Sequence, residues 1–290
     1  MNSLTIMQMD IFSNPVLFNV LIGVILISVS TAAVGCLLYV QKNALLGETL
    51  AHGCLPGIYF AFIFSETRNL FWLSIGAAIS GLISSYLVDF IVAKSRLSRD
   101  GAMAVVLSSM FGLGIMLLSF IQQNNYPNQN GLEDLFFGNA AAMSGHDIRI
   151  IGLISIAIWF LLITNYRKLL LTLFDPGFAK FQGIRPKVYI ALISTLAATS
   201  VAIGMQTTGA VLIAALIITP AASARIWCSR LFDMIFLAIV LAIIGGTAGT
   251  LCSYAAPKMP TGPWVVVCMA VLFLLSSLTK RIYLYSTKSD

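Results

Sequence analysis

An all-α integral membrane fold, a polytopic bundle of eight or nine spanning helices, is what this sequence predicts, and three observations carry it. Hydrophobic residues make up 59% of the 290-residue chain and charged residues only 10%, against roughly a quarter charged in soluble domains. Uncharged intervals of spanning length recur from one end to the other. Basic residues crowd into alternate connections between them. Mean hydropathy is +0.93, and no stretch has the composition of a soluble domain or a linker, so residues 1–290 read as one transmembrane domain.

A spanning helix needs about 20 apolar residues, and the elements follow in order. The first lies at roughly 16–41. No basic residue precedes it and the first charge is Asp10, so it is expected to be a retained helix rather than a cleaved signal. Residues 49–65 give a second span, short and polar at its start, and 69–88 a third. A fourth begins at Gly101 and stops near the polar cluster QQNNYPNQN at 122–130; 150–166 is the fifth. The interval 188–224 has 37 residues without a charge. As one helix it would reach about 55 Å, far beyond the roughly 30 Å hydrocarbon core. It must be two helices, broken near GMQTTG at 204–209. Residues 234–257 and 259–279 complete nine.

Charge placement orients them. With the N-terminus outside and the C-terminus cytoplasmic, fourteen Lys and Arg fall inside and only Arg68, Arg149 and Lys258 outside, as the positive-inside rule requires. The net charge of +6 is thereby explained by cytoplasmic loops, and no nucleic-acid partner is implied.

Two connections are more than turns. On the outer side, GLEDLFFGNAAAMSGHD (131–147) has an apolar centre too brief to cross, and reads as a short helix or re-entrant segment. On the inner side, LFDPGFAKFQGIRP (173–186) has a stiff DPG turn with Asp175 and Pro176 at an N-cap, then FAKFQGI in a short amphipathic pattern. Such a helix lies in the lipid interface or docks on a partner.

The five cysteines have no CxxC spacing and read as small buried hydrophobes, without a disulfide framework or zinc motif. The chemistry concentrates in LGETLAHGCLPG (46–57). Glu48 and His52 are four residues apart, so on a helix they share a face one turn apart. Two readings stand: a carboxylate favoured by the helix dipole with a histidine hydrogen-bonded inside the bundle, or a pathway site, since ionisable groups at membrane depth are expensive. Carboxylate plus imidazole suits a divalent first-row cation. Two side chains are too few for a closed site, and a conduction pathway wants that weakness.

GETLAHGCLPG resembles the second-helix signature of the permease subunits of ABC metal-ion importers, the manganese/zinc/iron uptake family. RDGAMAVVLSSMFGLGIMLLS (99–119), EDLFFGNAAAMS (133–144), FDPGFAKFQGI (174–184), TTGAVLIAALIITPAASAR (207–225) and PTG (260–262) resemble further patches of that family in the same order, over nearly the whole chain. The resemblance implies an inner (cytoplasmic) bacterial membrane and a divalent metal (Mn, Zn or Fe) as transported substrate, with no resident cofactor. It implies that Glu48 and His52 face the pathway near a permease dimer axis. Family members often have Asp where Glu48 stands, so the metal preference stays open. Phe174, Asp175, Pro176, Gly177, Phe178, Ala179, Lys180, Phe181, Gln182, Gly183 and Ile184 would dock on a separate ATPase, and Thr219 and Pro220 would kink a core helix. The implied partners are that ATPase, a second permease copy or paralogue, an extracytoplasmic metal-binding protein and membrane lipid.

Other residues carry less. His146 and Asp147, with Glu133 and Asp134, read as a solvated outer loop or an acidic patch that receives metal or a binding protein. Asp89 reads as a paired or snorkelling charge near Lys94, and Asp233 as a helix-start carboxylate. No GxxxxGK[ST] is present, so ATP hydrolysis belongs to another subunit. No HExxH, GxSxG or intramembrane aspartate pair points to an enzyme. An importer of chelated metal or another small solute, and an ATP-independent cation transporter, are the competing classes.

Overall fold

A computed structural model describes residues 15–124, 126–127, 129, 132, 143–255 and 261–286. Within them the chain is helical: α1 (Pro15–Val40), α2 (Leu46–Gly53), α3 (Leu55–Ser65), α4 (Leu70–Lys94), α5 (Arg99–Gln123), α6 (Gly145–Phe174), α7 (Pro176–Phe181), α8 (Pro186–Thr208), α9 (Ala210–Trp227), α10 (Leu231–Ala255) and α11 (Thr261–Ser286). Seven of these are long and apolar enough to cross a bilayer: α1, α4, α5, α6, α8, α10 and α11. The protein is a polytopic membrane protein.

The other two expected spans are a broken helix and a short one. Pro56 has no N–H to give the His52 carbonyl, and the helix is interrupted at Cys54 between α2 and α3. The interval 188–224 breaks where the polar GMQTTG foretold. Gly209 has φ +87°, a conformation that costs a residue with a Cβ, and it separates α8 from α9.

Several boundaries move because charge does not end a helix. Residues 150–166 are only the centre of α6, which has 30 residues and extends about 45 Å. It continues through Arg167 and Lys168 to Phe174, so α7 is held about three turns beyond Tyr166. At its other end Ser144 and Asp147 form a capping box, with the Ser144 amide donating to Asp147 Oδ2 at 2.9 Å. Ser144 to Asp147 therefore open α6 instead of belonging to a separate outer piece; Glu133, Asp134 and the rest of 133–142 lie outside the described residues, as do 1–14 and Pro260. Asp89 pairs with Arg99 at 2.8 Å, not with Lys94, and joins the ends of α4 and α5. Arg99 is partly exposed and Asp89 well exposed, so the pair is worth under about 1 kcal/mol.

The core gathers around α1. Some 72% of its spanning segment is buried, against 17% for α11, and it packs on α6, α8, α9 and α10. Hydroxyls inside these helices donate to carbonyls one turn back, as in Thr31 to Ile27 at 2.7 Å and Thr250 to Gly246 at 2.8 Å, which satisfies them where no water reaches. Close helix approaches use small residues. Gly57 of α3 and Gly76 of α4 meet backbone to backbone, and a Cβ on either would strike the other's carbonyl.

The cysteines only half obey the expectation that all are buried. Cys36 and Cys54 are, Cys228 and Cys268 are half-buried, and Cys252 is exposed; all five are free thiols. Burial, with Asp233 nearby, raises the pKa of the Cys228 thiol in the turn after α9.

Candidate functional site

The short helix α2 has eight residues, and six of them, Leu46, Gly47, Thr49, Leu50, Ala51 and Gly53, are buried. The two that are not are Glu48, which is exposed, and His52, which is half-buried. A buried segment thus presents its one acid and its one imidazole along a single open edge, the face that the four-residue spacing selects.

That edge is held from three directions. Gly47 lies against Ile217 of α9, where an added Cβ would fall 3.1 Å from Ile217 Cγ2. The Gly53 carbonyl accepts a 2.6 Å hydrogen bond from Ser80 Oγ and a longer one, 3.5 Å, from Ser84 Oγ, both on α4. From α5, Phe111 meets the His52 ring edge-on, with centroids 5.1 Å apart and an interplanar angle of 83°. These contacts fix the backbone and the ring plane, while the Glu48 side chain is exposed.

His52 Nδ1 is buried without a hydrogen-bond partner. A buried polar atom left unsatisfied costs on the order of 1–3 kcal/mol, so the histidine is not the fully bonded core residue that the first sequence reading allowed. Oxygen from Glu48 and nitrogen from His52 can be offered together to one divalent cation. Among the described residues no group of three or more His, Cys, Asp or Glu forms. The couple is therefore at most half of a closed coordination shell.

A groove of about 860 Å³ opens nearby, lined by apolar side chains of α3, α4 and α5 including Phe60, Trp72, Ile79, Met110 and Leu113. Neither Glu48 nor His52 lines it.

The second predicted segment is a helix, as its DPG turn requires. Asp175 caps α7 by accepting from the Phe178 amide at 2.9 Å, and Pro176 occupies its first turn. Gly183, at φ +77°, ends it, and Ile184 N–H donates to the Ala179 carbonyl at 2.9 Å. Ala179 is buried beneath, while Phe174, Phe178 and Phe181 are exposed at 53%, 47% and 90%. Three uncovered aromatics around one short helix form an apolar surface without a partner in the monomer. Glu48 and His52 are not part of this surface. The element common to both is α8, which packs on α7 and on α2.

Of the remaining candidates, Asp147 is consumed by its cap and His146 is exposed beside it. Pro220 does lie inside α9, and Ser223 Oγ donates to the Thr219 carbonyl at 2.8 Å. Sequence reasoning missed Phe111, Ser80, Ser84 and Ile217. Only the serines left a trace, two of the four serine hydroxyls of α4, set four residues apart.

The chain is similar to known proteins over most of its length. Residues 13–280 match the model of the ABC 3 transport family. The chain is 38% identical over 257 residues to the manganese transport system membrane protein MntC of Bacillus subtilis, covering 89% of this chain and 59% of that longer protein. It is 30% identical to the zinc transport system membrane protein TroC of Treponema pallidum, over 92% of this chain and 90% of that one. Among solved structures, PsaBC from Streptococcus pneumoniae in complex with Fab contains a chain of 28% identity that superposes with a TM-score of 0.83, over 94% of this chain and 95% of that one. Matched along nearly all its length by sequence and by fold, the chain belongs to the ABC 3 transport family, as a permease of the kind found in metal-ion uptake systems.

Proposed function

We propose that this protein is the membrane-spanning subunit of an ATP-driven importer that moves a divalent transition-metal ion, Mn, Zn or Fe, into the cytoplasm. The observation that carries the reading is the open edge of α2, where Glu48 and His52 are the only residues not buried. Two ligands hold an ion loosely enough to release it. A second copy or a paralogue, meeting this edge across a dimer interface, would complete the shell with its own ligands.

In this reading the broken α2–α3 and the short α9 also cross the membrane, for nine spans with the N-terminus outside and the C-terminus in the bacterial cytoplasm. An extracytoplasmic metal-binding protein delivers the ion. A separate ATPase docks on residues 174–184 through Phe174, Phe178 and Phe181. Displacement of α7 is passed to α8 and from there to α2, so nucleotide-driven motion reaches the acid–imidazole edge through packed helices. A bare ion fits better than a chelate, because the large groove is apolar and excludes both ionisable residues from its wall.

The test is metal accumulation in cells lacking this chain and complemented with Glu48→Ala, His52→Ala or both. Uptake of Mn, Zn and Fe should fall to background in the double variant while the permease still co-purifies with its ATPase. Normal uptake by the double variant refutes the pathway assignment, and uptake by permease alone in vesicles refutes the ATP-driven one.

A further inference from the structure

A histidine that binds a metal ion through one ring nitrogen is normally steered by the other, which donates to a carboxylate, a carbonyl or a water and so fixes the ring. His52 lacks that handle: its Nδ1 is enclosed with no hydrogen-bond partner among the described residues, although the residue as a whole is only half-buried. The nitrogen left for the open edge is Nε2. Backbone geometry does not secure this choice, because rotation of an imidazole about χ2 is broad and roughly two-fold. A half-turn exchanges Nδ1 with Cδ2 and Nε2 with Cε1, so an incoming ion would meet carbon where it had met nitrogen.

What touches the ring is Phe111, with centroids 5.1 Å apart and planes at 83°, inside the range of edge-to-face pairs. Core packing does not account for Phe111. It is 37% exposed, and Gly112 beside it has nothing within 4 Å of an added Cβ. Its backbone is nonetheless held. Gly114, three residues beyond Phe111, lies against Leu55, three residues beyond His52, with an added Cβ falling 2.9 Å from Leu55 Cβ. α5 and the broken α2–α3 therefore advance in step here, and Phe111 reaches His52 from a fixed wall. We infer, resting on the pathway reading above, that Phe111 is a positioning residue for ion binding: its ring, in place of the usual acceptor, holds the His52 imidazole with its proton on Nδ1 and Nε2 toward the open edge. An aromatic ring is a weak partner for an N–H and raises the basicity of the imidazole less than a carboxylate would, which suits a site that must release its ion. Without the ring, the half-turned imidazole, which brings Nδ1 out of its enclosure, is favoured. Apparent affinity then falls with the fraction of rings left in the competent orientation, about tenfold when one in ten remains.

The chain has two histidines, and His146 is exposed away from α2, so His146→Gln leaves His52 as the one reporter. The full chain with this change, purified through a histidine-free tag and carrying nitrogen-15 histidine, is placed in liposomes and followed by solid-state NMR with and without Zn²⁺. Nδ1 should carry the proton before Zn²⁺ is added, and Zn²⁺ should shift Nε2. A proton on Nε2, or a Zn²⁺ shift at Nδ1, overturns the proposal without recourse to any change at Phe111. Phe111→Leu, which removes the ring and keeps an apolar side chain, should move the proton to Nε2 in most molecules. In cells it should raise the KM of Zn²⁺ uptake about tenfold with the maximal rate and the unfolding midpoint unchanged, and Phe111→Tyr, which keeps the ring, should behave as the unmodified chain. An unchanged KM in Phe111→Leu, a loss of maximal rate and stability in its place, or a Phe111→Tyr no better than Phe111→Leu overturns the positioning role. If these occur while Glu48→Ala with His52→Ala abolishes uptake, the pathway reading stands and the role of Phe111 alone fails. Normal uptake by that double variant removes both.

Discussion

Ser80 donates a 2.6 Å hydrogen bond to the carbonyl of Gly53, the residue immediately after His52. α4 thereby grips the end of α2 at the point where Pro56 interrupts the helical ladder. Ser80→Ala should destabilise the protein by about 0.6 kcal/mol, the average for side-chain hydrogen bonds between membrane helices, and by no more than about 1.7 kcal/mol. Ser84→Ala should cost less, because Ser84 Oγ also donates to the Ser80 carbonyl at 2.9 Å and reaches Gly53 only at 3.5 Å. Thermal unfolding of the detergent-solubilised protein ranks the two.

Glycine substitutions separate packing from interface. Gly57→Ala places a methyl group against the Gly76 carbonyl, with backbone on both sides, so α3 and α4 must move apart at a cost of about 1–3 kcal/mol or more. Gly112→Ala meets nothing within 4 Å and should be neutral or slightly stabilising in the monomer. If the face beside Phe111 is where a second copy packs, Gly112→Leu should reduce dimer recovery in cross-linking while leaving the monomer's unfolding unchanged.

The segment 174–184, on which an ATPase is proposed to dock, divides in the same way. Phe181 is 90% exposed, so Phe181→Ala should change stability by no more than about 0.5 kcal/mol yet lower co-purification of the ATPase and metal-stimulated ATP hydrolysis. Asp175→Ala removes the cap of α7, worth about 1 kcal/mol, and should impair docking by loosening the helix. Equal effects of both on the isolated permease's stability would contradict a docking role for Phe181.

The far end of α9 is tied to α11. Trp227 Nε1 donates to Ser276 Oγ at 2.8 Å, and Lys280 Nζ lies 5.1 Å from the centre of the Trp227 ring. Trp227→Phe keeps the cation–π contact and loses the hydrogen bond. A double-mutant cycle with Ser276→Ala should give a coupling energy of about 0.5–1.5 kcal/mol, read from unfolding midpoints.

Much of the architecture was legible because the bilayer imposes a length. A 37-residue uncharged interval had to break, and it breaks at Gly209. The DPG turn had to start a helix, and Asp175 caps α7. Helix ends were less legible: α6 runs past Tyr166 because Arg167 and Lys168 are good helix formers, and charge marks the membrane boundary without ending the helix. Asp89 chose Arg99 over the nearer Lys94 because the turn between α4 and α5 folds Arg99 back toward it, a geometry that spacing along one helix does not contain.

What the sequence by itself determined is the membrane fold, the existence of the acid–imidazole couple on one helix face and the short aromatic helix after the DPG turn, since each follows from composition, from turn chemistry or from a repeat of three to four residues. What only the tertiary structure decided is which face of α2 stays open, that Phe111 and Ser80 hold it, and that α8 links it to α7. Those relations join residues tens of positions apart, and helix packing, governed by the volumes of facing side chains, brings them together without any local pattern to announce it.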